Sequence, residues 1–172
     1  MVNLQQAIKM DLLNIQAGPF VFKAKLELQE APKTCARFME LLPFANKVIH
    51  SRWSGEAVWV PLGDFETGLD FENHTVHPSR GDILLYPGGF SETEILFAYG
   101  SSSFASRMGD LAGNHFLTVV KARKIWLNSG VWCCGKVPRI SCFLAHDALW
   151  HSQRSKTVGS DKHLGIRCRI GH

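Results

Sequence analysis

The side chains that could do chemistry in this sequence are spread along it, and their spacing excludes most familiar arrangements. Glu56, Glu92 and Glu94 could gather into a carboxylate cluster, although carboxylates on exposed strands are common. His50, His74 and His77 could in principle share a metal ion, but no cysteine pair has the usual zinc spacing and Cys133 and Cys134 are adjacent, so no metal is expected. Pro87-Gly88-Gly89 could turn backbone N–H groups toward an anion. No phosphate-loop lysine and serine follow it, and a turn is the better reading. A Gly-x-Ser-x-Gly nucleophile elbow is absent from the sequence. The aromatic residues Trp53, Trp59 and Phe97 read first as packing, since aromatics dominate buried area.

The elements that must position these residues are short. Met10–Ile15 and Phe20–Leu28 alternate between apolar and polar residues around Ala17-Gly18-Pro19, which predicts two strands joined by a loop. Pro32 suits a first helical turn, and Cys35, Phe38, Met39, Leu41 and Leu42 recur at helical spacing, which predicts one helix near Lys33–Leu42 ending before Pro43. Lys47–Arg52 and Glu56–Val60 then read as a hairpin turning at Ser54-Gly55. Ile83–Tyr86, Ile95–Tyr99 and Phe116–Val120 follow as strands, with Gly or Pro in the gaps. Many short strands with such turns favour a mostly β barrel or sandwich carrying one main helix.

Composition sets the outer limits. The 172 residues are 45% hydrophobic, which suits one domain with a real core. No apolar stretch is long enough to span a bilayer, and Met1–Lys9 has no secretory pattern, so a cytoplasmic home and no membrane partner are expected. Met1–Val120 carries 9 Lys/Arg and 13 Asp/Glu, a net −4, whereas Lys121–His172 carries 10 and 2, a net +8. Four of the five cysteines, Cys133, Cys134, Cys142 and Cys168, lie in that second segment, and an odd total argues against a disulfide framework. The segment is basic, rich in Cys and Trp, and keeps no clear period. It is expected to be the least ordered part, and without a recognised module its charge does not point to nucleic acid.

Several local motifs occur in the order found in cyclophilins. Glu30-Ala31-Pro32-Lys33-Thr34 resembles the start of their first helix, and Leu62-Gly63-Asp64-Phe65 resembles their glycine-glycine-aspartate-phenylalanine turn. Phe71-Glu72-Asn73, Gly81–Leu85 and Leu111-Ala112-Gly113-Asn114-His115-Phe116 follow in the same order. A closer resemblance is to a bacterial cyclophilin-like family of unknown function, number 3830, carried by Arg52–Trp59, Pro61–Asp64, Gly81–Gly89, Ser91–Phe97 and Leu111–Phe116. It spans residues 10–120. That family usually ends in an acidic helix rich in alanine and leucine, which residues 121–172 do not match.

The resemblance implies a closed, cyclophilin-like β-barrel with one main α-helix, and a set of site residues. Arg52 would be the catalytic cation of a prolyl isomerase, hydrogen-bonding the imide as the peptide bond twists over a barrier of about 18–20 kcal/mol. Trp59 and Phe97 would wall the proline socket, and His115 stands where cyclophilins place a pocket histidine. Trp53, Glu56 and Glu94 complete the expected ligand contacts. Two departures oppose catalysis: Pro61 replaces the glutamine that orients the arginine, and a carboxylate such as Glu56 or Glu94 could neutralise Arg52. The leading expectation is therefore a module that binds a small amide or a proline-containing peptide at the barrel mouth, with no cofactor. The alternatives are a prolyl isomerase, or a relative of lactam- and amide-hydrolysing enzymes with Glu56, Glu92 or Glu94 as base.

Overall fold

The computed structural model describes residues 12–17, 20–123 and 139–144. Its strands are β1 (Leu12–Ala17), β2 (Phe20–Leu26), β3 (Phe44–Lys47), β4 (Ile49–His50), β5 (Gly55–Gly63), β6 (His74–Thr75), β7 (Asp82–Tyr86), β8 (Thr93–Ser102), β9 (Ala105–Ser106), β10 (Gly109–Asp110), β11 (Gly113–Arg123) and β12 (Arg139–Leu144). The helix α1 (Pro32–Glu40) lies between β2 and β3. The expected strands and helix are all present within a few residues of their sequence positions.

Every pairing in the main sheet is antiparallel, in the order β3-β12-β1-β2-β11-β7-β8-β5-β4, with β6 added beside β11. The expected closed barrel is found as a strongly curled half-barrel. Among the described residues no ladder joins the edge strands β3 and β4. The chain draws these edges together all the same. Val48 alone separates Lys47 of β3 from Ile49 of β4, which limits the gap to about 7 Å. Across this seam Asn46 Nδ2 donates to the Pro61 carbonyl at 3.4 Å. Val48 is turned into the interior and nearly fully buried, so the chain turns the corner there instead of continuing a ladder.

By sequence Ser141–Leu144 could be a short element but carries little signal, and it falls within β12. This strand inserts between β1 and β3, with Ile15 opposite Cys142 and Phe44 opposite the same residue. The described sheet therefore runs past Val120. Apart from β12, the expectation of disorder falls on residues beyond Arg123, which lie outside the described residues.

The sheet separates two apolar clusters, because successive strand residues face opposite ways. Ile15, Phe22, Val58, Ile83, Phe97 and Phe116 belong to the interior cluster. Leu84, Tyr86, Leu96, Phe104 and Leu111 form a second cluster on the outer face, against which Trp59 packs. α1 lays Cys35 and Phe38 into the interior; Cys35 Sγ meets the Phe116 carbonyl at 3.4 Å and the Phe38 ring lies 4.8 Å from that of Phe116. Pro32 opens the helix, and no side chain within it caps its N-terminus. Glu72 supplies that cap from outside, its Oε1 accepting the Thr34 N–H at 2.5 Å.

Asn114 fixes this joint. It is fully buried in β11 and uses all three of its observed bonds there. Nδ2 donates to Thr34 Oγ1 and to the Asp70 carbonyl, both at 3.0 Å, and Oδ1 accepts the Glu72 N–H at 3.1 Å. The motifs Lys33-Thr34, Phe71-Glu72-Asn73 and Asn114-His115 are thus a single hydrogen-bonded joint between helix, loop and sheet.

Candidate functional site

Among the described residues, the hollow inside the half-barrel is too small for a ligand. It measures about 20 Å³ and is walled by apolar side chains, among them Ile15, Phe38, Val58, Phe97 and Phe116. That is room for about one water, against the roughly 300 Å³ or more of a small-molecule pocket. Phe97 was expected to wall a ligand socket. It is instead 3% exposed in this core, packed edge-on to Phe22 at 5.6 Å.

The outer face of β5, β8 and β7 is a different surface. Register sets Pro61 opposite Glu94 and Glu94 opposite Tyr86, while the adjacent row is Trp59, Leu96 and Leu84. Tyr86 is the centre of an aromatic group: Phe71, Phe90 and Phe104 lie 6.4, 6.3 and 6.2 Å from its ring. Phe104 is buried beneath, whereas Phe71 and Phe90 are 51% and 60% exposed. Trp59 sits one row away, half-buried. Glu94 is 7% exposed and makes no hydrogen bond or ion pair among the described residues. Burial pushes its carboxyl up to about 7, and the neighbouring Glu92 carboxylate adds to the rise.

The remaining expected site residues are dispersed around this face. Arg52 is exposed in the loop between β4 and β5, with no hydrogen bond or ion pair among the described residues. It precedes Gly55 at the start of β5, whereas Glu94 lies opposite Pro61 near the other end. Neither Glu56 nor Glu94 pairs with it. Trp53, next to it, is 59% exposed. Glu56 has a structural duty: its Oε2 accepts the Ser101 N–H at 2.7 Å, directly over Gly100, where any Cβ would overlap its side chain.

His115 belongs to a polar network near the start of β11. Its Nε2 lies 2.9 Å from Thr118 Oγ1 and 3.4 Å from Asp82 Oδ1, and Thr118 donates to Glu27 Oε1 at 2.8 Å. Burial raises the Glu27 carboxyl, but the hydrogen bonds from Thr118 and Lys25 and the Lys25 charge outweigh it and hold the group below its ordinary value. The three histidines considered for a metal are engaged separately. His50 meets Tyr99 Oη at 2.7 Å, His77 meets Ser103 Oγ at 3.3 Å, and His74 packs 5.2 Å from Phe71. Among the described residues no group of three His, Cys, Asp or Glu side chains is placed to hold a metal ion. No helix among them is long and apolar enough to cross a membrane. Cys35 is not a nucleophile in waiting, since burial, followed by the Glu72 charge, pushes its thiol up to about 12.

Tyr86 and Asn114 escaped the sequence reading. Tyr86 ends an apolar run and reads as one more strand residue; its signal is the Pro87-Gly88-Gly89 turn that follows. Asn114 sits inside a recognised motif, and its role depends on partners up to 80 residues away.

Among the described residues, the curled antiparallel sheet and one helix define a mostly β, half-barrel domain. The chain belongs to the family described as "Protein of unknown function (DUF3830)", which matches residues 13–129. This is the family that the motifs resemble. A solved structure, that of McbB in complex with tryptophan, shares the fold at 13% identity and a TM-score of 0.55. The match covers 93% of this chain and 50% of that one, so this chain spans half the length of McbB. No curated protein matches the chain.

Proposed function

We propose that this domain is a binding module that holds a small amide or a proline-containing peptide on the outer face of β5, β8 and β7. The observation that carries this reading is the aromatic group around Tyr86, left partly open at Phe71 and Phe90. An apolar surface with few polar groups is the usual make-up of a small-ligand site. Arg52 precedes the start of β5, whereas Glu94 lies opposite Pro61 near the other end of that strand, which favours binding over isomerase catalysis, since a cation must reach the twisting imide to stabilise it. The test is an NMR titration with N-acetylproline methylamide. Shift changes are expected at the Trp59 indole, Tyr86 and Phe90. Changes confined to other surfaces, or none, would reject the reading. A protease-coupled assay on a proline tetrapeptide should give only the spontaneous rate; isomerisation that Arg52→Ala abolishes would make the isomerase reading the leading one.

One observation favours a second reading, amide or lactam hydrolysis. A carboxyl held near 7 can take a proton from water and return it to a leaving amine. Glu94 is the base in that reading, and amine release from a lactam that Glu94→Gln abolishes would support it.

A further inference from the structure

Two polar side chains on the outer face have no protein partner among the described residues, and their polar atoms keep contact with solvent, since the fully buried side-chain atom left without a partner is Ser102 Oγ. Glu94 and Tyr86 are 7% and 2% exposed, and register places them directly opposite each other on β8 and β7. Opposed residues on adjacent strands lie about 4.5–5.5 Å apart at Cα. Yet no hydrogen bond links the phenol to the carboxylate, and neither group has another partner among the described residues. The neighbours on the same strands are answered by the protein: Thr93 donates to the Phe65 carbonyl at 2.8 Å, and Asp82 accepts the Ser79 N–H at 2.8 Å. Glu94 and Tyr86 are left for water or a ligand.

The pair is also held apart by its frame. The Tyr86 hydroxyl leans toward the Pro87–Phe90 turn, where a Cβ on Gly89 would come within 3.2 Å of it. Gly89 has φ 129°, a conformation closed to other residues, so that space stays open. Opposite Glu94 on β5 is Pro61, which brings no side-chain donor. The charged group that acts on Glu94 is Glu92, of the same sign. Around them stand the rings of Phe71, Phe90 and, diagonally, Trp59.

The chemistry missing from this recess is specific. A carboxylate with a second carboxylate behind it calls for positive charge and N–H donors. Aromatic faces favour a cation and an apolar body. A phenol can accept one N–H while the carboxylate accepts another. We propose that the Glu94–Tyr86 recess is a seat for an organic ammonium group, a primary or secondary amine carried on an aromatic or aliphatic body. This rests on the outer face being the ligand surface, and it names a cationic ligand class in addition to the neutral amides.

The test is calorimetric titration of the full chain at pH 8 with three probes: 2-phenylethylamine, its neutral isostere 2-phenylethanol, and N-acetylproline methylamide. The amine should bind at least tenfold more tightly than the alcohol. Glu94→Gln should remove that advantage and leave the alcohol within about twofold, and Tyr86→Phe should weaken the amine several-fold. A measurement without substitution guards against misfolding. With the Glu94 carboxyl near 7, acidification from pH 8 to 5.5 should weaken the amine by up to about 30-fold and leave the alcohol unchanged. Equal binding of amine and alcohol, or no loss in Glu94→Gln and at low pH, would overturn the ammonium seat while amide binding kept the outer face as the ligand surface. Failure of all three probes would overturn both.

Discussion

Replacing Glu94 by glutamine should stabilise the folded chain, and the gain should depend on pH in a defined way. The folded carboxyl is held near 7 against its ordinary 4.5, chiefly because burial penalises the charged form. Folding therefore prefers the protonated acid. Below 4.5 the group is neutral in both states and costs nothing. Between 4.5 and 7 the unfolded chain ionises first and stability falls as pH rises; above 7 the penalty is complete. At about 1.4 kcal/mol per pH unit the gap amounts to about 3 kcal/mol. Solvent reaching the carboxylate reduces this, so a gain of about 1–3 kcal/mol is expected at pH 8. For a chain of this size that raises the unfolding midpoint by about 3–10 °C. Glutamine keeps the shape, and its unpartnered amide replaces the equally unpartnered neutral acid, so packing cancels in the comparison. Thermal unfolding followed by circular dichroism from pH 4.5 to 8 reads the result. Equal midpoints at pH 8, or a difference that persists undiminished at pH 4.5, would refute the assignment of an unpaired, buried charge.

Three further substitutions probe the frame. Gly100→Ala should cost about 1–3 kcal/mol, because the new Cβ overlaps the Glu56 side chain over Ser101; in a denaturation cycle with Glu56→Ala the double variant should lose less than the sum. Asn114→Ala should cost about 3–5 kcal/mol by stranding Thr34, the Glu72 N–H and the Asp70 carbonyl together; a loss below 1 kcal/mol in urea unfolding would show that the joint is dispensable. Ending the chain after Arg123 removes β12, the strand between β1 and β3. Hydrogen exchange in β1 and β3 should then quicken at least tenfold, with β7 and β8 unchanged; undisturbed protection in β1 would deny β12 its place in the sheet.

Element type was legible because it depends on local signals, and the failures share a geometric cause. Alternation, the Pro32 start and the Gly/Pro turns were enough to predict α1, β2, β5, β7 and β8. They could not say which face of a strand is the site. Thr93–Ala98 is buried at every position, so its apolar pattern carries no period of two to separate inside from outside. Phe97 and Glu94 are three residues apart and thus face opposite ways, and grouping them in one pocket required a parity the sequence did not display. Curvature was hidden for a related reason. β12 joins β1 and β3 across a long stretch of chain, and no local pattern in the basic segment foretells that pairing.

Arg52 shows how a small irregularity redirects chemistry. It stands 11 residues before Gly63, one more than the spacing in the cyclophilins it resembles. The register of β5 against β8 shifts at two places: between Gly55 and Ala57 the surplus residues lie on β8, between Ala98 and Ser102, and between Pro61 and Gly63 the extra residue lies on β5. A bulge bends its strand and re-aims the side chains beyond it. At the first shift Glu56 turns to the Ser101 N–H, and Arg52 lies in the loop before it, exposed and unpaired among the described residues. At the second, Pro61 lies opposite Glu94, which has no protein partner among the described residues. The outer face thus departs from a site built around a cation in the protein: its unpartnered group is an acid, and on the proposed reading the complementary charge comes with the ligand.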